Sequence, residues 1–340
     1  MRRATILVLL VLAGVSVPIT AALAQVTPST VTQEAQEKAK EDGLPVGAVI
    51  VLGQVVGGGS FTADPYVRRT AVTTLLSLGP YWDIVDNLRL SGKQDILYSM
   101  VENYQSTVTY RNRTMLSDTT LDLSHLKLVV IPGVDVTVNA GLSLVFPTSP
   151  QSQYRDIIMN TTLHAGLVKK LGVVTLAYVA AGFKNFNRYT SPTVSLDDVG
   201  DHVVLARFGG NEQLTGDLIS VGGNNVEWGV LNSFTVSVAL IEGLTFTVVG
   251  EVSNSWTYDV SPSDEFTSEY AKGGRGQRDT WHGVLDLTYA LSDNWAVSMG
   301  TDTVVAPKTA DNGDWVFPWA NFSNNDRNNS SVYAVIAATY

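Results

Sequence analysis

Segments that alternate apolar and polar residues, short turns that alternate with long polar connections, and a last segment that closes on an aromatic predict the fold class. It is all-β: a transmembrane antiparallel up-and-down β-barrel of about twelve strands, with short periplasmic turns and long extracellular loops. In the last segment, Ser330–Tyr340, the residues Val332, Ala334, Ile336, Ala338 and Tyr340 share one face of a period-two strand. That face suits hydrocarbon, with an aromatic at the boundary.

The N-terminus sets the compartment. Arg2-Arg3, an apolar run from Ala4 to Val17, and Ala22-Leu23-Ala24 before Gln25 read as a secretory signal peptide over residues 1–24. The run is shorter than the roughly 20 apolar residues a spanning helix needs. Residues 25–45 are polar, and Gln33–Glu41 has helical composition without an apolar face, so this stretch is expected to be a periplasmic lead-in; a plug helix in the lumen is the alternative. The barrel is expected over residues 46–340. The chain has no cysteine, which excludes a lipidated cysteine, disulfides and thiolate metal sites. Charged residues make up 16%, against roughly 25% in soluble domains. A net charge of -10 argues against nucleic acid.

The strands follow in order. Val46–Val56 is apolar on both faces. Thr70–Leu78 and Leu88–Tyr98 join near Asp86-Asn87, and Leu116–Leu128 and Val134–Phe146 join at Ile131-Pro132-Gly133, where proline belongs in a turn. Ile157–Leu171 and Val173–Phe183 turn at Gly172, and Val226–Ile241 and Leu244–Tyr258 turn at Glu242-Gly243. Thr280–Leu291 and Trp295–Val305 turn at Ser292-Asp293-Asn294, and Ser330–Tyr340 completes an even count; ten or fourteen strands would also close a barrel. The long connections are Gly57–Arg69, Ser99–Thr114, Pro147–Asp156, Lys184–Asn225, Asp259–Asp279 and Ala306–Asn329. Strand direction then puts Tyr98, Phe146, Trp228, Trp256, Tyr258 and Trp281 at extracellular ends, and Tyr289, Trp295 and Tyr340 at periplasmic ends. These are two interfacial girdles.

The signal peptide, the hairpin rhythm and the terminal aromatic strand, with Asp86-Asn87-Leu88-Arg89-Leu90-Ser91 and Leu142-Ser143-Leu144-Val145-Phe146-Pro147-Thr148-Ser149, resemble bacterial outer-membrane β-barrels of the porin-like and transporter-like class. The resemblance implies an integral place in the outer membrane, contact with its lipid, and insertion by the barrel-assembly machinery through the C-terminal strand. It selects no substrate.

The inward faces carry seven carboxylates, Asp95, Asp118, Asp122, Glu227, Glu251, Asp286 and Asp302, against Arg89, Lys93 and the imidazoles of His164 and His282. Seven acids cannot all pair with two firm bases, so water is expected to reach them. Two readings follow: a narrow, mildly cation-preferring pore for small solutes, or a solvated interior closed by loops, with those loops binding partners or supporting the envelope. The Lys184–Asn225 connection, with Asp197, Asp198, Asp201, His202 and Arg207, either folds inward as a constriction or caps the barrel outside. Asp311-Asn312-Gly313-Asp314 and Asn324-Asn325-Asp326 lack helical calcium-loop spacing and read as turns, so no metal is expected. His282 with Asp279 and Ser298 is the best hydrolase set, although Ser298 falls nearer mid-membrane than His282. Gly57-Gly58-Gly59 lacks the lysine and helix of a phosphate loop, so no cofactor is expected and catalysis is not the leading reading.

Overall fold

In the computed structural model, the residues described are 45–61, 71–104, 108–191, 224–261, 273–308, 313–320 and 330–340. The signal peptide and lead-in, the acidic run Asp197–Arg207, Asp311-Asn312 and Asn324–Asp326 lie outside them.

Thirteen strand segments form one sheet: β1 (Val46–Gly57), β2 (Ala71–Val85), β3 (Leu88–Tyr104), β4 (Val108–Leu116), β5 (Thr119–Ile131), β6 (Val136–Phe146), β7 (Ile157–Leu171), β8 (Val174–Asn187), β9 (Val226–Ile241), β10 (Leu244–Thr257), β11 (Gln277–Ala290), β12 (Trp295–Val305) and β13 (Ser330–Thr339). Both β4 and β5 pair with β3, the first with its outer half and the second with its inner half. They are one stave broken at Ser117-Asp118, so the barrel has twelve staves. All pairings are antiparallel, and β1 pairs with both β2 and β13. The sheet is therefore closed and has no edge, the condition for spanning hydrocarbon with strands. Tyr340 is tied in as well: Ala48 N–H donates to its carbonyl at 2.9 Å and its own N–H donates to Ala48 O at 3.0 Å. That pairing is why the terminal strand can run to Tyr340 in register.

The periplasmic turns are tight because their residues reach the left-handed region. Gly172 (φ 61°) and Gly243 (φ 76°) do so without steric cost, and Asn87 (φ 60°) as a polar residue that tolerates it. The extracellular side differs from expectation. Most of Ser99–Thr114 is strand and not loop, since β3 runs to Tyr104 and β4 returns from Val108 in register. Backbone pairing carries a hairpin past the membrane without a lipid-facing apolar pattern. Within Pro147–Asp156, α1 (Pro150–Tyr154) forms with Pro150 at its first turn, and Ser149 caps it by accepting from Ser152 N–H.

One face of every stave meets lipid. Leu121, Leu142, Leu163, Leu167, Phe234 and Met299 are exposed there. Trp228 stacks on Trp256 at 4.2 Å near the extracellular end, and Trp295 meets Tyr340 edge-on at 6.5 Å near the periplasmic end. The opposite face is largely polar on most staves, with apolar residues such as Ala177, Val179 and Phe183 on β8 and Leu231 on β9, and is most apolar along β1, β2 and β13. There Val49, Val51, Val55, Leu75, Val335 and Ala337 pack together, which explains why β1 is apolar on both sides. Each such side chain withdrawn from water stabilises by about 1.5–3 kcal/mol.

Candidate functional site

The lumen wall holds the chemistry, and its polar side chains reach one another by lying across glycines. On β5, Asp122 accepts from Ser124, from Ser143 on β6 at 2.5 Å, and lies 2.9 Å from His164 Nε2 on β7. One strand, β6, separates Asp122 from His164. Gly141 on β6 is paired with both Ser124 and His164, and any Cβ at Gly141 would collide with the imidazole. The same device recurs on the other side. Tyr333 on β13 crosses Gly300 on β12 so that its Oη donates to Asp286 Oδ2 on β11 at 2.7 Å. Thr288 Oγ1 donates to Asp286 at 2.5 Å and lies 2.6 Å from Ser298 Oγ.

His282 is the centre of a second carboxylate group. Its Nε2 is 2.9 Å from Asp302 Oδ2 on β12, and its Nδ1 is 3.8 Å from Glu251 Oε1 on β10. Asp302 is 1% exposed and Asp122 4%. Toward the periplasmic end, Arg89 donates twice to Asp83, at 2.7 and 2.9 Å, with its guanidinium 4.2 Å over the Tyr81 ring. Lys93 pairs with Asp95 at 3.4 Å.

These contacts revise the expected lumen. The carboxylates are not left to water for want of bases, because imidazoles and hydroxyls take up most of them. Hydroxyl-bearing residues on neighbouring strands satisfy buried acceptors as cations would, without adding charge. Arg89, Lys93, Asp95, Asp122, His164, Glu251, His282, Asp286 and Asp302 lie on the inward face. Two expected lumen acids do not. Asp118 sits in the break between β4 and β5, accepting from Ser149 N–H at 2.8 Å and Ser152 Oγ at 2.5 Å, and so moors α1 at the rim. Glu227 lies at the register slip opposite Trp256-Thr257, where Lys184 and Arg275 each reach it at 2.7 Å; these two bases are 39% exposed. Tyr258 joins that rim group, with Lys184 over its ring and its Oη donating to Asn185 O. The hydrolase set is not assembled either. Asp279 bonds Asn254 and Gln277 on the outer face, and Ser298 pairs with Thr288 instead of His282. Asp302 and Glu251 were recognised as inward acids, but their pairing with His282 had no local signal. Among the described residues no cluster of acids and histidines has the makings of a metal site.

No protein family and no characterised sequence matches this chain. Solved structures do. An outer-membrane channel from Pseudomonas putida F1 superposes with TM-score 0.50 at 11% identity, covering 87% of this chain and 95% of that one. The KdgM porin in complex with disordered oligogalacturonate gives 0.41 at 9% identity, over 86% and 98% of the two chains. OprD of Pseudomonas aeruginosa gives 0.36 at 9%, over 87% and 94%. The fold is that of an integral outer-membrane β-barrel, the architecture on which channels and porins are built, and the exposed apolar belt with its aromatic rims fits this chain to that bilayer.

Proposed function

We propose that the barrel is a narrow channel for small solutes, with a mild preference for cations. The observation that carries the reading is the inward wall of β10–β12, where Glu251, Asp286 and Asp302 face the lumen with His282 as their one imidazole partner. Even with His282 charged, the group keeps a negative excess, and a low-dielectric wall focuses that field into the lumen. The fold likeness to a channel of P. putida supports the same class of activity. Burial of the wall's polar groups points to a small unitary conductance, since few of them are free to line a wide aqueous path. The wall is read as non-catalytic, with His282 a positioning group for carboxylates.

Single-channel recording of refolded, heat-modifiable protein tests this, with the reversal potential in a salt gradient giving selectivity. Steady cation-preferring current that weakens in Glu251→Gln and Asp302→Asn is expected. Electrical silence from correctly folded protein would sink the reading. It would favour a closed barrel that acts through its extracellular surface, a second reading motivated by the near-complete burial of Asp302 and by the β3–β4 hairpin above the rim.

A further inference from the structure

An apolar groove of about 500 Å³ crosses the outer wall of β10–β13, β1 and β2. Register explains its course. One outward row of cross-strand neighbours, Leu244–Tyr289–Val297–Ile336–Leu52, forms its lower side. The next row up holds Met299 beside Ala334. Ala334 is the small member, so its methyl makes the floor while Met299, Ile336 and Leu52 make the walls. The groove ends on β1 and β2 at the Thr74 hydrogen bond to Gln54 Oε1, 3.0 Å long.

The course also has a direction. Leu244 is the first residue of β10 at its periplasmic end, whereas Leu52 is the seventh of β1. Five strand spacings of about 4.8 Å make the groove about 24 Å long, and a strand tilt of roughly 40° lifts its far end about 15 Å. The groove therefore climbs from the periplasmic interface toward the middle of the hydrocarbon. That is the path an acyl chain takes from a headgroup held at the rim.

The rim at the low end sets the headgroup. Leu244 pairs with Tyr289, and the Glu242-Gly243 turn lies against the Tyr289 ring, which a Cβ on Gly243 would meet at 3.4 Å. Glu242 is exposed there, and Asp293 is exposed in the next turn, two residues before Trp295. Tyr289 and Trp295 are the amphipathic rings expected at headgroup level. The lining staves supply no base: residues 46–56, 72–85, 242–256, 279–299 and 332–340 contain neither Lys nor Arg. Lys127 on β5 and Lys169 and Lys170 on β7 stand three or more staves from β10. A zwitterionic headgroup brings an ammonium to these carboxylates, whereas an anionic one brings only like charge.

We propose that the groove binds an acyl chain of one phosphatidylethanolamine from the periplasmic leaflet, with the ammonium at the Glu242 carboxylate and Asp293 adding to the negative field. The inference is independent of whether the barrel conducts.

Native mass spectrometry of the refolded chain tests it, with the protein released from micelles that hold phosphatidylethanolamine and phosphatidylglycerol of the same acyl chains in equal amounts. One retained phosphatidylethanolamine, at least threefold over phosphatidylglycerol, is expected. Ala334→Phe fills the floor of the groove and should abolish retention, while Leu163→Phe on the wall of β7 should leave it unchanged, each assayed as heat-modifiable, folded barrel. Glu242→Lys, in an exposed turn that needs no repacking, should keep a lipid bound but reverse the preference toward phosphatidylglycerol. Equal retention of the two lipids by the wild type would overturn the proposal, as would no retained lipid at all. Retention that ignores Ala334→Phe would put the lipid elsewhere and overturn it too, and a preference that survives Glu242→Lys would remove the rim carboxylate from the site.

Discussion

Replacing Asp122 by alanine should be the most damaging single change in the lumen, and the structure says by how much. The carboxylate takes up Ser124, Ser143 and His164 at once, on three neighbouring strands. A hydrogen bond to a charged group contributes about 1.5–3 kcal/mol when intact. The three do not sum, because they belong to one network around a single carboxylate. What remains is His164, buried and without its carboxylate, and breaking a buried pair costs about 3–5 kcal/mol. The hydroxyl-rich wall argues for the lower end, about 3 kcal/mol. Asp122→Asn keeps one acceptor oxygen but turns an N–H₂ toward donors, so about 1–3 kcal/mol is expected from it. Urea unfolding of liposome-inserted barrel, followed by tryptophan emission and by heat-modifiability on gels, measures both. A double-mutant cycle with His164→Ala decides the mechanism, and coupling of about 1–2 kcal/mol is expected for residues in one network. Additivity within about 0.5 kcal/mol would refute the claim that Gly141 lets His164 reach across a strand to Asp122.

Three further outcomes follow from neighbouring contacts. Gly300→Val should drive Tyr333 off Asp286 and cost more than Tyr333→Phe, which loses one hydrogen bond to a carboxylate, about 1.5–3 kcal/mol; equal unfolding midpoints would show that the ring does not cross Gly300. Asp118→Ala should free α1, read as faster proteolysis within residues 147–156 while the barrel stays folded, and unchanged cleavage would mean that Ser149 capping suffices. Glu227→Gln should change stability by less than about 1 kcal/mol, with the difference vanishing in high salt, because Lys184 and Arg275 are partly exposed; a large salt-independent loss would contradict a rim ion pair.

The strands were legible in the sequence because a bilayer enforces its pattern on each stave separately. Outward positions are mostly apolar, so alternation in Leu244–Thr257 or Trp295–Val305 is written locally, and the turn at Glu242-Gly243 needs nothing beyond its own residues. The inward direction of Asp122, His164, Glu251, His282, Asp286 and Asp302 was legible for the same reason. Their partners were not. Asp122 and His164 stand 42 residues apart, and whether they meet depends on the registers of β5 on β6 and β6 on β7 and on a glycine between them. Counting acids against bases therefore misjudged the lumen, since hydroxyls on adjacent staves supply hydrogen bonds that no charge count includes. The β3–β4 hairpin escaped because pairing above the membrane needs no apolar face. Trp319 reads as a stray loop aromatic until the register of β10 on β11 sets Gly250 beside Gly283, where its ring lies and its indole N–H donates to Val249 O at 2.6 Å. The sequence by itself determined how many times the chain crosses the bilayer, because each crossing answers to lipid alone. Only the tertiary structure decided what fills the lumen and what lies against the outer wall, because those contacts join residues whose proximity is set by register and closure, not by any local pattern.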